Sequence, residues 1–127
     1  MDRPTRFFVT LGAVNAGLAV ALGAFGTHAL TGSMPPRFLE IFQTGTQYHF
    51  YHGLGLFGVA LVASLQVRPR LVYWAGRSMV AGIALFSGSL YALALTQRPG
   101  FGAVTPLGGL CFLAAWGILA VSAVRDD

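Results

Sequence analysis

The side chains able to do chemistry in this chain are few. His28, His49 and His52 are its only histidines, Cys111 is its only cysteine, and Glu40 is its only acid between Asp2 and Asp126. Three histidines could ligate a metal, or supply axial ligands to a haem. Glu40 with His52 could pass a proton. The spacing argues against each. His49 falls off the stripe of its helix that carries His52, and no cysteine or second carboxylate stands near. No haem-attachment motif is present. Arg37, three residues before Glu40, is the simpler partner, as a surface ion pair near a helix end. Cys111 sits among Leu110, Phe112 and Leu113, where a thiol acts as a small hydrophobe. A single cysteine also excludes an internal disulfide. There is no nucleophile-base pair, no glycine-rich phosphate loop and no pair of carboxylates. The expectation is a protein without catalytic residues, metal ligands or cofactor, and not an enzyme.

What remains is polar but uncharged. At 100° per residue, Glu40, Thr44, Gln47, Tyr48, Tyr51, His52 and Gly55 fall on one stripe of a helix. Phe42, Thr46, His49, Phe50 and Phe57 fall on the other side. In an apolar surrounding such a stripe must face other helices, a cavity or water. Residues elsewhere could meet it. The candidate cluster comprises His28, Gln43, Gln47, Tyr48, His52, Ser87, Ser89, Tyr91 and Thr105. It could be a hydrogen-bonded network that fixes helix register. It could instead be an outward-facing pocket for a small polar solute or lipid headgroup, lined by His28, Gln47, Tyr48 and His52.

The elements that hold these residues follow from where charge is missing. Of the 127 residues, 55% are apolar and 9% charged. Asp, Glu, Lys and Arg are all absent from 7–36, 41–67, 78–97 and 99–124, stretches of 30, 27, 20 and 26 residues. A membrane-spanning helix needs about 20 predominantly apolar residues. This distribution excludes a soluble enzyme, a disordered tail and a nucleic-acid binder. It predicts an all-α, integral membrane four-helix bundle, a single transmembrane domain over 1–127 with spans at about 5–30, 36–66, 71–96 and 106–124. The first run is longer than the apolar core of a signal peptide, and Gly26-Thr27-His28-Ala29 is a poor cleavage site. It therefore reads as a retained span. Thr105-Pro106 reads as an N-cap followed by the first helical residue. The second segment, about 46 Å long at 1.5 Å per residue, overshoots a hydrocarbon core of about 30 Å. Its first turns are the polar ones.

Two rows of small residues, Ala13-Gly17-Ala21 and Ala84-Gly88-Ala92, offer smooth faces for helix packing. The eight basic residues are all arginine, and they sit at segment ends. Arg3, Arg6, Arg68, Arg70, Arg77 and Arg125 belong to one side of a four-span chain, Arg37 and Arg98 to the other. That bias puts both termini in the cytoplasm.

The motifs Gly23-Ala24-Phe25-Gly26-Thr27-His28-Ala29-Leu30 and Gln43-Thr44-Gly45-Thr46-Gln47-Tyr48-His49-Phe50-Tyr51-His52 carry a resemblance. So do Leu85-Phe86-Ser87-Gly88-Ser89-Leu90-Tyr91 and Thr105-Pro106-Leu107-Gly108-Gly109. With one motif per helix in order, the chain resembles the small inner-membrane proteins of unknown function typified by bacterial YgdD and eukaryotic transmembrane protein 256. The resemblance implies a multi-pass protein of the bacterial inner membrane. It implies no activity, substrate or catalytic residue. The expected role is that of a non-enzymatic packing component in the lipid bilayer, as a homo-oligomer or a subunit of a membrane complex.

Overall fold

Prolines and one aspartate set where the helices begin. In α1 (Arg3–Phe25) the Asp2 carboxylate caps the first turn, accepting the Thr5 N–H at 2.9 Å. Pro36 opens α2 (Pro36–Ser64) and Pro69 opens α3 (Pro69–Gly82). At a first helical position the missing proline N–H breaks no helical bond. Pro106 lies in the first turn of α5 (Thr105–Ala123). There the expected N-cap takes another form: Thr105 is already helical, and its hydroxyl bonds Ser89 across the bundle at 2.6 Å. The computed structural model describes residues 1–124, so Arg125, counted above for orientation, lies outside the described residues.

Two wide turns interrupt the α-helical pattern, and neither was expected from the sequence. Gly26–Leu30 forms a π turn at the end of α1. Ile83–Ser87 forms a second one, joining α3 to α4 (Gly88–Thr96) in one rod. In the second turn the Gly88 N–H reaches back five residues to the Ile83 carbonyl. A short 3-10 segment, Pro99–Ala103, leads into α5.

The result is four helical rods that alternate in direction. The Gln66 side chain donates to the Asp2 carboxylate at 3.1 Å, and Arg68 donates to the Val121 carbonyl at 3.2 Å. The start of α1, the α2–α3 turn and the end of α5 therefore share one end. α2 packs against α1 on one side and against α3 and α4 on another, while α5 packs on α3 and the π turn. Phe8, Leu56, Val59, Met79 and Phe112 fill the core toward the first end. Phe38, Phe42 and Ala94 fill it toward the other.

Glycines set the close approaches. A Cβ on Gly53 would stand 2.8 Å from the Ala16 backbone nitrogen. One on Gly12 would stand 3.0 Å from the Gly53 carbonyl oxygen. Outside, large apolar side chains such as Leu18, Leu61, Leu110 and Leu113 are exposed, a surface suited to lipid. Three stretches, Arg3–Leu30, Pro69–Thr96 and Pro99–Ala123, are long and apolar enough to cross a membrane. α2 is long enough, about 44 Å at 1.5 Å per residue. It is too polar to meet the same measure.

Candidate functional site

The polar centre of the molecule is His49. Its side chain is 5% exposed, and it joins three helices. Nε2 meets Asn15 Oδ1 of α1 at 3.0 Å, and Nδ1 meets the Tyr91 hydroxyl of α4 at 2.8 Å. The proton positions follow from the neighbours. The Asn15 amide NH2 donates to the Leu11 carbonyl at 2.8 Å, so its oxygen faces the imidazole and accepts from Nε2–H. The other ring nitrogen then accepts the Tyr91 O–H. One neutral tautomer satisfies all three side chains. Gly45 makes room for the arrangement, since a Cβ there would collide with the Tyr91 ring.

His52, one turn on, is 4% exposed and turned toward α5. Its Nδ1 donates to the Tyr48 carbonyl at 2.7 Å, and its Nε2 accepts the Trp116 indole N–H at 3.0 Å. This imidazole has the opposite tautomer, and it stacks on Phe112 with ring centroids 3.5 Å apart. Trp116→Phe removes one donor and leaves the His52 nitrogen unpaired. The expected loss is about 1 kcal/mol, read as a lower unfolding midpoint in detergent. Unchanged stability would show that the indole bond carries nothing.

The remaining candidates are scattered around these two histidines. Ser89 meets Thr105 at 2.6 Å and also bonds the Phe86 carbonyl. Ser87 is fully buried in the π turn and its hydroxyl has no partner. Tyr91 serves His49. Gln47 is exposed and bonds the Tyr51 hydroxyl on the outer face of α2. Gln43 and His28 are exposed as well. All nine lie between the middle of the bundle and the end away from the amino terminus, as separate local contacts and exposed side chains rather than one cluster. A pocket lined jointly by His28, Gln47, Tyr48 and His52 does not form. Tyr48 and His52 instead border a lateral groove of about 600 Å³ with Phe86, Leu110, Phe112 and Trp116. The expected Arg37–Glu40 ion pair is absent too: the Arg37 guanidinium lies 4.6 Å over the Phe38 ring, and Glu40 is exposed. Among the described residues no three His, Cys, Asp or Glu side chains gather around a possible metal position.

Three residues of this arrangement lay outside the expected cluster: Asn15, His49 and Trp116. Asn15 is the only strongly polar residue inside the first segment, which marks it as needing a partner. His49 lies on the side of α2 that a helical wheel reads as apolar. Trp116 lies in the middle of an apolar helix rather than at an interface, where tryptophan in a membrane protein is usually found.

Most of the polar residues just described fall within one block of the chain. Residues 22–109 match the model of a family described as protein of unknown function (DUF423). The chain belongs to the DUF423 family. Relatives extend the likeness to almost all of it. The UPF0382 membrane protein YwdK of Bacillus subtilis is 52% identical over 94% of this chain and 98% of its own. A UPF0382 membrane protein of Staphylococcus epidermidis is 42% identical over 94% of this chain and 97% of its own. The UPF0382 inner membrane protein YgdD of Escherichia coli is 38% identical over 95% and 92%. No solved structure matches. This DUF423 chain is thus an all-helical, multi-pass membrane protein, from a family with no assigned activity.

Proposed function

We propose that this DUF423 protein crosses the bacterial inner membrane four times with both termini in the cytoplasm. In this reading it is not an enzyme. It acts by packing, against further copies of itself or as a subunit of a membrane complex. The orientation is supported by Arg3, Arg6, Arg68, Arg70 and Arg77 at the end that holds the amino terminus, against Arg37 and Arg98 at the other. A fourth span is supported by α2 lying between its neighbours, with His49 and His52 bonded to α1, α4 and α5 rather than turned to lipid. The name of the Escherichia coli relative supports the choice of membrane. The absence of chemistry is supported by both inner histidines having every ring nitrogen engaged.

One observation carries the packing role. Ala13, Gly17 and Ala21 form a smooth row on α1, yet all three are exposed. A Cβ on Gly17 would meet nothing within 4 Å. Inside the bundle, close approach is provided by other glycines, Gly12, Gly53 and Gly108. A small-residue row facing outward from a bundle that does not use it is suited to another helix.

The test uses Gly17→Cys in a Cys111→Ala background, oxidised in native membranes. The expected product is a covalent dimer or a cross-linked partner. Gly58→Cys, on the outward side of α2 with equally open space, should remain monomeric. Only monomer at Gly17 would overturn the proposal. A second reading, capture of a small polar solute or lipid headgroup by the polar cluster, is favoured by the groove beside Tyr48 and His52. Its walls are mostly apolar and His52 is already bonded, so it ranks second.

A further inference from the structure

At the end of the bundle that holds the amino terminus, basic side chains gather with a single carboxylate, Asp2, among the described residues. Among the described residues, Arg3, Arg6 and Arg77 make no ion pair. Asp2 is engaged by the Thr5 N–H and the Gln66 amide. Arg77 lies two turns inside α3, with its guanidinium over the rings of Tyr73 at 5.3 Å and Trp74 at 5.4 Å. Both rings precede it in the chain, so the charge is drawn back toward the bundle end, the snorkelling expected of a cation below an interface.

A cleft runs between α1 and α3 at this place. Its outer part, about 580 Å³, is lined by Arg3, Arg6, Thr10 and Tyr73. Its inner part, about 380 Å³, is lined by Arg77, then Phe8, Leu11, Val80 and Ala81. Phe7 and Tyr73 wall both parts, so the two adjoin. Two arginines line the outer part and one the inner, and apolar surface walls most of both. A phospholipid offers a phosphate to such charges and an acyl chain to such walls.

We infer that this cleft holds one anionic phospholipid of the adjoining leaflet. The phosphate sits among Arg3, Arg6 and Arg77, and an acyl chain lies along Leu11, Val80 and Ala81. The headgroup must be anionic overall. A zwitterionic lipid would bring its own ammonium beside three guanidinium groups and lose much of the attraction. The inference rests on the membrane-spanning part of the reading above, and is independent of self-association.

Native mass spectrometry of the full chain, delipidated in detergent and given dioleoyl phosphatidylglycerol or dioleoyl phosphatidylcholine, provides the test. The expected result is one retained phosphatidylglycerol per chain, in clear preference to phosphatidylcholine. Arg6→Gln and Arg77→Gln should each lower that retention about fivefold, the factor for one basic side chain near a lipid phosphate. Arg37→Gln, at the opposite end, should leave it unchanged. Ala81→Phe, which fills the apolar part without touching charge, should also lower it. Equal retention of the two lipids would overturn the inference, as would a loss in Arg37→Gln equal to that in Arg6→Gln. The same spectra count protein chains. A monomer that keeps phosphatidylglycerol would therefore separate this inference from the packing role.

Discussion

Gly108→Ala is expected to cost about 3 kcal/mol or more and to remove most of the folded protein from the membrane. A Cβ at Gly108 would stand 2.6 Å from Phe86 Cα and 2.7 Å from the Leu85 carbonyl carbon, and closer still to the Phe86 backbone nitrogen. Overpacking usually costs about 1–3 kcal/mol, because side chains rotate out of the way. Here the obstacle is backbone, in the π turn between α3 and α4, and no rotamer relieves it. α5 must move out as a whole. That movement pulls Thr105 from Ser89, Phe112 from Gly82 and Trp116 from His52, three contacts now made along one helix face. The measurement is abundance in membranes together with an unfolding midpoint in mixed micelles. Gly117→Ala, on the same helix with nothing within 4 Å of the added atom, should behave as wild type. Equal behaviour of the two variants would falsify the close approach of α5 to the turn.

His49→Leu is the second large effect expected, roughly 2 kcal/mol. Leucine fills much of the same volume, so the cost comes from the groups left behind. The Asn15 oxygen and the Tyr91 hydroxyl would both lose their partners in a dry interior. Leaving a buried polar group unpaired costs about 1–3 kcal/mol in soluble proteins. Interhelical hydrogen bonds in membranes average about 0.6 kcal/mol, since the unfolded helices find other partners. The sum expected here lies between those limits. A double-mutant cycle isolates the bond itself. In a Tyr91→Phe background the cost of His49→Leu should fall by about 0.6 kcal/mol, the average for such pairs, and by no more than about 1.7 kcal/mol. Additive costs would mean that the two side chains do not act together. If His49→Leu also leaves abundance unchanged, the histidine is not a structural post.

The limits of the helices were readable because both signals that set them are local. Charge is confined to the ends and outer turns of the rods, and prolines mark the starts of α2, α3 and α5. The two π turns were not readable. Gly26–Leu30 and Ile83–Ser87 contain nothing that forbids an ordinary α turn, and the wider form at Ile83–Ser87 coincides with Gly108 packing against its backbone. The site was half legible for a related reason. A helical wheel gives angles between side chains, not what stands at each angle. α2 has neighbours on several sides, so the face judged apolar, with His49, turned out to be the one between α1 and α4. The face judged polar points partly outward, at Gln47 and Tyr51. Tyr48 and His52 had been correctly placed on one side together, and the wheel gave no means of seeing that Trp116 would meet them.

The polarity of α2 also bears on how the protein is made. A segment with two histidines and two glutamines, too polar to count as a span by itself, has little tendency to leave water alone. In the four-span reading proposed above it would enter the bilayer paired with a neighbour, and α1 is the helix packed most extensively along it. Asn15 on that partner bonds His49, and Gly12 and Gly53 let the two backbones close. Order of synthesis then matters: the arm that shields emerges first, and the arm that needs shielding follows it.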